Sequence, residues 1–452
     1  MRMFLAIVVC KLLRFIGKLV GKGSSLPGQY ALKLCPDVLG RVKLPPYIIA
    51  VTGSNGKTST VEMIASILRS AGKDVVYNAE GSNQIEGVTT LILSRSTLGG
   101  KVKGDVLLLE SDERYARLSF RHFHPTHFVI TNLYRDQLTR NGHPEWVFAS
   151  ILPAIHPETT LVLNADDPLV SRFAQGHDPE KVKWFGLERC SISTDTPRGV
   201  YDDGARCPVC RGRMVYSCYH YHHIGHYHCE SCGYSRHDPD FAVTDLDLKE
   251  GRLTIGGDTE IHLSFRSIYN VYNILAAWSV CSLAGVNKAT MASVINDYIL
   301  KNGRMIRFTL GAHHGTLLTS KHENSVAYDT NLDYICSTEK PCTVIVLVDA
   351  ISRKYFTGET SWLWDIDFDR LSCPQVEKVV LCGKYVNDLA MRFDYTSVNP
   401  QKIACYDTAA QAAEALKAAG DEDIYVLTCF SDRDKLLSLT EREDHYGGSS
   451  WN

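Results

Sequence analysis

The segment Gly53-Ser54-Asn55-Gly56-Lys57-Thr58-Ser59 has the composition of a loop built to hold phosphate. Its glycines let the backbone curl so that N–H groups face an anion, and a helix starting directly afterwards adds the positive end of its dipole. Lys57 can reach the β- and γ-phosphates of a nucleotide, and the Thr58 hydroxyl can ligate Mg²⁺. The spacing departs from G-x-x-x-x-G-K-[ST], because Gly53 stands only three residues before Gly56. A hard cation bridging phosphates also needs an anionic oxygen ligand. The run Leu109-Glu110-Ser111-Asp112-Glu113 supplies candidates, Glu110 as the first choice and Glu113 as the second.

A second chemistry lies in Cys207-Pro-Val-Cys210 and Cys229-Glu-Ser-Cys232, separated by 18 residues. Two thiolate knuckles at that spacing close a tetrahedral Zn²⁺ site with no open position, which makes the metal structural. Cys218, His220, His222, His223, His226 and His228 between them are competing ligands, and surface decoration is the expectation for most. Nucleic acid is not an expected partner: 48 Lys+Arg against 51 Asp+Glu leave no cationic surplus for phosphate contacts. Fifteen cysteines in 452 residues are too few for a disulfide scaffold, so a reducing, cytoplasmic compartment is expected.

Elements must hold these residues in place. After Pro45-Pro46, Tyr47 to Val51 reads as a buried strand feeding the glycine loop, and Val61 to Leu68 as the helix that follows. Asp105 to Leu109, His127 to Thr131 and Thr160 to Leu163 read as further strands, with crossovers between them, which implies a parallel, doubly wound α/β sheet. Residues 200–240 break that pattern and read as an insertion. Beyond Gly311, strands at Thr343 to Val348, Val379 to Cys382 and Ile424 to Thr428, with a helix at Ala409 to Ala418, suggest a smaller Rossmann-like α/β domain. The expected layout is a lead segment at 1–45, a nucleotide-binding domain at 46–310 with a zinc-ribbon insertion at 200–240, and a C-terminal domain at 311–452.

In the lead segment, Phe4 to Cys10 is uninterruptedly apolar, and Lys11, Arg14, Lys18 and Lys22 then alternate with apolar residues. It is too short to span a bilayer and lacks a convincing signal-cleavage site. An amphipathic helix packed on the body of the protein is the first expectation, and one laid on an anionic membrane surface the second.

The loop variant T-G-S-N-G-K-T-S resembles the Mur ligase family, which includes folylpolyglutamate synthases. Further segments fit that family in order. Thr131-Asn132-Leu133-Tyr134-Arg135-Asp136-Gln137-Leu138 is similar to its T-N-[IL]-x-x-D-H-L-D run, with Gln137 in place of the histidine. Asn164-Ala165-Asp166-Asp167 is similar to its N-x-D-D motif near the nucleotide, which carries Asn164 and Asp167 over as cofactor-binding residues. Tyr269-Asn270 to Ala276-Ala277 is similar to the H-N-x-x-N-x-x-A-A helix, whose first asparagine, here Asn270, meets adenine. The resemblance implies a P-loop ATPase that phosphorylates a carboxylate with ATP and lets an amine attack. Residues Gly53 to Ser59 cradle phosphate, Thr58 and Glu110 hold Mg²⁺, and Lys57 and Glu110 are catalytic.

About 45 residues precede the loop, too few for the nucleotide-sugar domain of Mur ligases that use a UDP-linked substrate. Together with the ribbon and Ser361-Trp362-Leu363-Trp364-Asp365, this narrows the resemblance to the MurT family, the synthase subunits of lipid II isoglutaminyl synthases. That likeness implies a GatD-like glutaminase partner and lipid II as substrate at the membrane surface. The reaction implied is ATP-dependent amidation of the D-glutamate α-carboxyl to D-isoglutamine through an acyl phosphate, a step of peptidoglycan synthesis. It also implies that Asp365 completes the partner's Cys–His pair, with Asp349 and Asp367 as the alternatives. The rival is a folylpolyglutamate synthase-like amide ligase, of which a four-cysteine ribbon and the S-W-x-W-D segment are not expected. Lys321 to Asp329 departs from the family's K-N-P-x-G-x-N, and Asp349 to Glu359 lacks its A-D-G-x-D run.

Overall fold

The computed structural model describes residues 1–19, 24–78, 83–136, 141–298, 305–350, 358–418, 420 and 422–442. The chain forms two compact units. Met1–Tyr134, His143–Arg198 and Asp202–Ile299 make the first; Arg135–Gly142, Gly199–Tyr201 and Leu300–Asn452 make the second.

The first unit is built on a nine-stranded sheet. Its strands are β1 (Tyr47–Thr52), β2 (Val75–Tyr77), β3 (Val106–Glu110), β4 (His127–Ile130), β5 (Thr160–Asn164), β6 (Val182–Leu187), β9 (Phe241–Asp247), β10 (Arg252–Ile255) and β11 (Thr259–His262), and a separate hairpin pairs β7 (Met214–Tyr221) with β8 (Ile224–Cys229). The order is β11-β10-β9-β6-β5-β4-β1-β3-β2. Pairing is parallel from β2 to β9, and β9, β10 and β11 add an antiparallel edge. Helices cover the parallel part, so its strands read as continuous apolar runs; Val106 to Leu109 are all buried.

β1 lies between β3 and β4, so the chain winds to opposite sides of it. In open parallel sheets the crevice at the carboxyl ends of strands around such a switch point is where ligands bind. The glycine loop follows β1, Glu110 ends β3, Thr131 to Asp136 follow β4, and Asn164 ends β5, with Asp167 three residues on. The motifs thus share one edge of one sheet.

Five helices come from the first hundred residues: α1 (Arg2–Leu19), α2 (Leu26–Leu34), α3 (Val38–Arg41), α4 (Lys57–Ser70) and α5 (Ile85–Arg95). α1 and α2 pack on each other and on α5, and α1 buries Ala6, Ile7 and Cys10 in the core that also holds Ile92 and Leu93. Among the described residues no helix is long and apolar enough to cross a membrane.

The second unit has a seven-stranded sheet of β12 (Met305–Leu310), β13 (His313–Ser320), β14 (Cys342–Leu347), β15 (Val376–Cys382), β16 (Ile403–Tyr406), β17 (Asp423–Cys429) and β18 (Glu441–Arg442), in the order β16-β15-β14-β17-β13-β12-β18. β12 and β13 form a hairpin in which Leu310 pairs with His313 around Gly311, whose φ of 63° suits the tight turn. The sequence division at 310 and 311 falls inside this hairpin, because a turn within a sheet and a turn between domains carry the same glycine signal.

Asp166, fully buried, ties the first unit together. Its carboxylate accepts from Leu187 N (2.7 Å) on β6, Tyr272 Oη (2.7 Å) on the Ile268–Leu283 helix and Arg236 Nε (2.6 Å) beyond the hairpin, while its carbonyl accepts from Gly225 N on β8. Removing one partner of a buried, hydrogen-bonded ion pair costs about 3–5 kcal/mol. Asp166→Ala should lower unfolding free energy by about that amount in urea denaturation, whereas Asp245→Ala, exposed on β9, should change it by less than about 0.5 kcal/mol. Equal effects of the two substitutions would refute the role assigned to Asp166.

Candidate active site and metal centre

β1 delivers the chain to Gly53 (φ 131°), and Gly56 (φ 85°) caps α4, which begins at Lys57. Neither glycine tolerates a side chain. A Cβ on Gly53 would stand 2.2 Å from Thr131 Oγ1, and one on Gly56 2.0 Å from Asn273 Oδ1. The loop is strapped to the segment after β4: Ser54 N donates to Asn132 O (2.9 Å), Asn55 N to Asn132 Oδ1 (2.8 Å), and Thr131 Oγ1 to Asn55 O (2.8 Å). The Ser54 hydroxyl donates to Tyr134 O and accepts from Tyr134 N. Ser54 and Asn55 therefore spend these backbone groups on holding the loop's shape. Gly56 and the first turn of α4 at Lys57, Thr58 and Ser59, whose N–H groups lack intrahelical acceptors as in any helix, are the part of the loop that could hold a phosphate.

Thr58 Oγ1 donates to Glu110 Oε2 at 2.9 Å, so the hydroxyl and the carboxylate expected to share Mg²⁺ are side by side. Asn83 Nδ2 stands 3.4 Å from the other Glu110 oxygen. The Lys57 ammonium, buried under the loop, pairs with Glu113 and donates to Gly53 O and Ser54 O. The two acidic candidates divide: Glu110 joins the threonine, Glu113 the lysine. A cation-binding oxygen pair beside an ammonium, under a cradle closed to any Cβ, fits a Mg²⁺-nucleotide.

Asn164 and Asp167 lie one layer behind the loop, both fully buried. Asn164 Nδ2 donates to Thr131 O (3.0 Å), and Asn164 Oδ1 accepts from Asp166 N. Asp167 Oδ2 accepts from Leu133 N (2.8 Å), and its Oδ1 caps the Pro168–Ser171 turn through Leu169 N and Val170 N. Both hold the strap that holds the loop. Asn270, in the first turn of the Ile268–Leu283 helix, is buried; its amide donates to Phe265 O at 3.1 Å, and its Oδ1 has no hydrogen-bond partner. An orphaned buried carbonyl oxygen is costly unless a ligand satisfies it, and an adenine amino group would. Of the segment after β4, Gln137 and Leu138 lie outside the described residues.

The four ribbon cysteines converge: their Sγ atoms all lie within 4.8 Å of one another, with Cys207–Cys232 at 3.7 Å and Cys210–Cys229 at 3.5 Å. Four sulfurs at about 2.3 Å from a tetrahedral Zn²⁺ stand about 3.8 Å apart, so the set fits the ion. Each knuckle turns through a positive φ after its second cysteine, at Arg211 and at Gly233. Burial pushes the Cys229 thiol up, but the N–H groups of Cys232 and Ser231 and the neighbouring thiols outweigh it and lower it, while Cys207 is raised, mainly by burial, and Cys232 is raised, mainly by its thiol neighbours. The ribbon's own core is only Cys207, Met214, Tyr227 and Cys229.

The intervening histidines differ from expectation. His220, His222 and His223 are buried, not surface decoration. The hairpin lays one face on the unit: His220 and His226 both place Nε2 on Leu187 O (3.1 and 2.8 Å), and His223 Nε2 stands 3.6 Å from Asp167. Cys218, His220 and His226 form a second close cluster, but these internal hydrogen bonds already use its histidines. Tyr221 joins Tyr134 through their hydroxyls and packs on Tyr269 and Tyr272, so the hairpin reaches the strap itself. Asp166, Arg236 and this tyrosine group were missed by sequence reasoning; the only signal for Asp166 was its place inside N-x-D-D.

Within the second unit, Asp365 ends the Ser361–Asp365 3₁₀ turn, and its Oδ1 lies 3.3 Å from Arg135 Nη1. Arg135 stacks over Tyr201, and Asn324 Nδ2 donates to Asp136 Oδ1 (2.7 Å). Asp367 pairs with Arg370, and Asp349 accepts from Lys384 N and pairs with Lys435. A groove beside Asp365 is lined by Thr360, Leu363, Trp364, Asn387, Asp388 and Met391. Trp364 and Met391 there, and Tyr395, whose ring meets that of Trp364 edge-on, are 43%, 55% and 69% exposed.

If the four thiolates hold a structural ion, metal analysis should find one Zn per chain, and Cys210→Ser should lower Tm and solubility, because closing such a site contributes folding free energy directly. A metal-free chain with an unchanged Tm contradicts the assignment.

Two family models match the chain: the Mur ligase middle domain over residues 51–197 and the MurT ligase C-terminal domain over residues 322–432. A curated relative from Streptococcus pneumoniae, lipid II isoglutaminyl synthase (glutamine-hydrolyzing) subunit MurT, is 30% identical over 424 residues, covering 92% of each chain. The protein of the same name from Staphylococcus aureus is 28% identical over 423 residues, 93% of this chain and 94% of that one. A pseudomurein peptide ligase type C from Methanothermus fervidus shares the fold, with a TM-score of 0.68 at 20% identity over 89% of this chain and 80% of that one. Loop, sheet and second unit converge on one assignment: the chain belongs to the MurT family of Mur-type ATP-dependent ligases.

Proposed function

We propose that this chain is the ATP-using half of an enzyme that amidates lipid II, converting the D-glutamate α-carboxyl of the stem peptide to D-isoglutamine during peptidoglycan synthesis. The observation that carries the reading is the Thr58–Glu110 pair, 2.9 Å apart, beside the buried Lys57 at the carboxyl edge of β1 and β3. In the reaction a carboxylate oxygen attacks the γ-phosphorus, ADP leaves, and neutral ammonia attacks the acyl carbon of the resulting acyl phosphate, expelling phosphate and losing a proton. Such phosphoryl transfer is catalysed mainly by positioning and electrostatics.

Each residue has a part. Lys57, held by Glu113 and loop carbonyls in this structure, exchanges them for phosphate oxygens and neutralises their charge. Thr58 and Glu110 hold the Mg²⁺, which when bound draws charge from the β- and γ-phosphates. Gly53, Gly56 and the start of α4 shape the cradle, Ser54, Asn55, Asn164 and Asp167 position it through the strap, and Asn270 reads adenine through its orphaned Oδ1. Cys207, Cys210, Cys229 and Cys232 would hold a Zn²⁺, which would stiffen the hairpin that touches Tyr134.

Ammonium is no nucleophile while its lone pair carries a proton, so ammonia must be released where it is used, by a GatD-like glutaminase partner. Residues 311–452 form the domain on which that partner docks, with Asp365 orienting the histidine of its Cys–His pair. All three aspartates are ion-paired, Asp365 with Arg135, Asp367 with Arg370 and Asp349 with Lys435; what supports Asp365 is the exposed apolar surface of Trp364, the residue before it, with Met391 and Tyr395. The complex works from the cytoplasm at the membrane face that presents lipid II.

Two variants test the division of labour. Lys57→Ala combined with Glu113→Gln, which avoids stranding a buried carboxylate, should abolish amidation with either glutamine or ammonia as donor, while leaving the fold and the partner complex intact. Losing a triad acid costs about 10⁴-fold in rate, so Asp365→Asn should block amidation from glutamine yet spare it when free ammonia is supplied at high concentration and raised pH. If Asp365→Asn loses both donors equally, the residue belongs to the ligase chemistry or to the fold; if it loses neither, the triad role passes to another aspartate.

A further inference from the structure

The first two helices carry a surface for which the ligase chemistry has no use. α1 turns Ala6, Ile7 and Cys10 inward onto α2 and α5. On its other side Phe4, Leu5, Leu12, Phe15 and Ile16 are each 46–66% exposed, spaced so that they line one helical stripe. α2 repeats the pattern: Pro27, Gly28 and Ala31 are buried, while Leu26, Tyr30 and Leu34, four residues apart, are exposed. With Met1, these supply nine of the 19 exposed large apolar side chains among the described residues, from the first 34 positions of the chain. Scattered single exposures are ordinary; a concentration of this kind marks an interaction surface.

Charge says what covers it. Residues 1–36 contain Arg2, Lys11, Arg14, Lys18, Lys22 and Lys33 and no Asp or Glu, whereas the remaining residues hold 42 Lys+Arg against 51 Asp+Glu. A cationic, acid-free stretch of an otherwise net-acidic chain thus coincides with the densest bare apolar surface among the described residues; Arg2 and Lys33 are exposed there, whereas Lys11 turns inward and donates to Ser94 O on α5. A second copy of the chain is a poor occupant, since pairing the two faces would bring like charges together with no acidic side chain in either stretch to offset them. An anionic lipid surface is a good one: apolar side chains enter the boundary of the acyl region while lysines and arginines meet lipid phosphates. α1 has 18 residues, Arg2, Lys11, Arg14 and Lys18 among them, and does not meet the requirement for crossing.

We propose that the outer face of α1 and α2 is a docking surface for an anionic bilayer, on which the helices lie without crossing it. The proposal does not rest on the identity of the substrate; it stands on the geometry and charge of these two helices.

Vesicle co-sedimentation of the full chain, purified with its partner, tests it. Affinity for vesicles of phosphatidylcholine mixed with phosphatidylglycerol should exceed that for phosphatidylcholine alone by about ten-fold or more and should fall with salt. Leu12→Glu combined with Phe15→Glu should weaken binding by about ten-fold or more with Tm and ATP turnover unchanged. Should that pair disturb folding, Arg2→Glu with Lys33→Glu, both at exposed positions, should weaken binding about five-fold per residue. Failure to bind, equal binding to the two kinds of vesicle, or binding indifferent to these variants overturns the proposal. So does a concentration-dependent dimer, or retention of the glutaminase, that the Leu12 and Phe15 substitutions abolish, since the face would then belong to a protein.

Discussion

Two adjacent buried carboxylates, Asp166 and Asp167, are the constraint on which the rest of the first unit depends. Each is fully buried, and each is satisfied by donors from elements far apart in the chain. Asp166 gathers β6, the helix of Asn270 and the end of the hairpin; Asp167 gathers the strap after β4 and the turn after β5. Uncompensated, two such groups would be among the costliest features a fold could contain. Satisfied, they make the positions of these five segments mutually dependent. The phosphate loop inherits its geometry from them through Leu133, Thr131 and Asn132, although neither aspartate lies in the loop.

This dependence explains why an inserted hairpin belongs to a nucleotide-binding unit at all. The ribbon's buried core is small, and its four cysteine sulfurs stand at distances from which one metal ion would supply what that core lacks. The hairpin offers His223 toward Asp167 and Tyr221 to Tyr134, so that a metal held by the cysteines would bear on the segment that straps the loop. Its histidines are spent on that packing.

What could be read from the amino-acid sequence was whatever lies in one short stretch. Gly53 to Ser59, the paired cysteines and the apolar strand cores declare themselves by type and spacing, and the α/β architecture followed from them. Thr58 and Glu110 could be matched because each ends or follows a strand of the same parallel sheet, where neighbouring carboxyl ends must meet. Long-range satisfaction was not legible. No local pattern shows that Asp166 would take Arg236 and Tyr272, that His220 and His223 would be covered, or that Arg135 and Asp136 would join the residues around Asp365 and Asn324. The hairpin turn at Gly311 resembled a domain boundary because turn chemistry is local, whereas strand pairing is not.

One chain therefore carries, in its first unit, a hydroxyl, a carboxylate and a buried ammonium at the carboxyl edge of a parallel sheet and, in its second, Asp365 next in the chain to the half-exposed Trp364. The central claim is that the first of these activates a carboxylate by transferring phosphate to it. Positional isotope transfer addresses that most directly. With ¹⁸O in the D-glutamate α-carboxylate of lipid II, the account predicts that each amidation releases inorganic phosphate carrying one ¹⁸O from the substrate. Unlabelled phosphate, or label appearing in AMP, would contradict it.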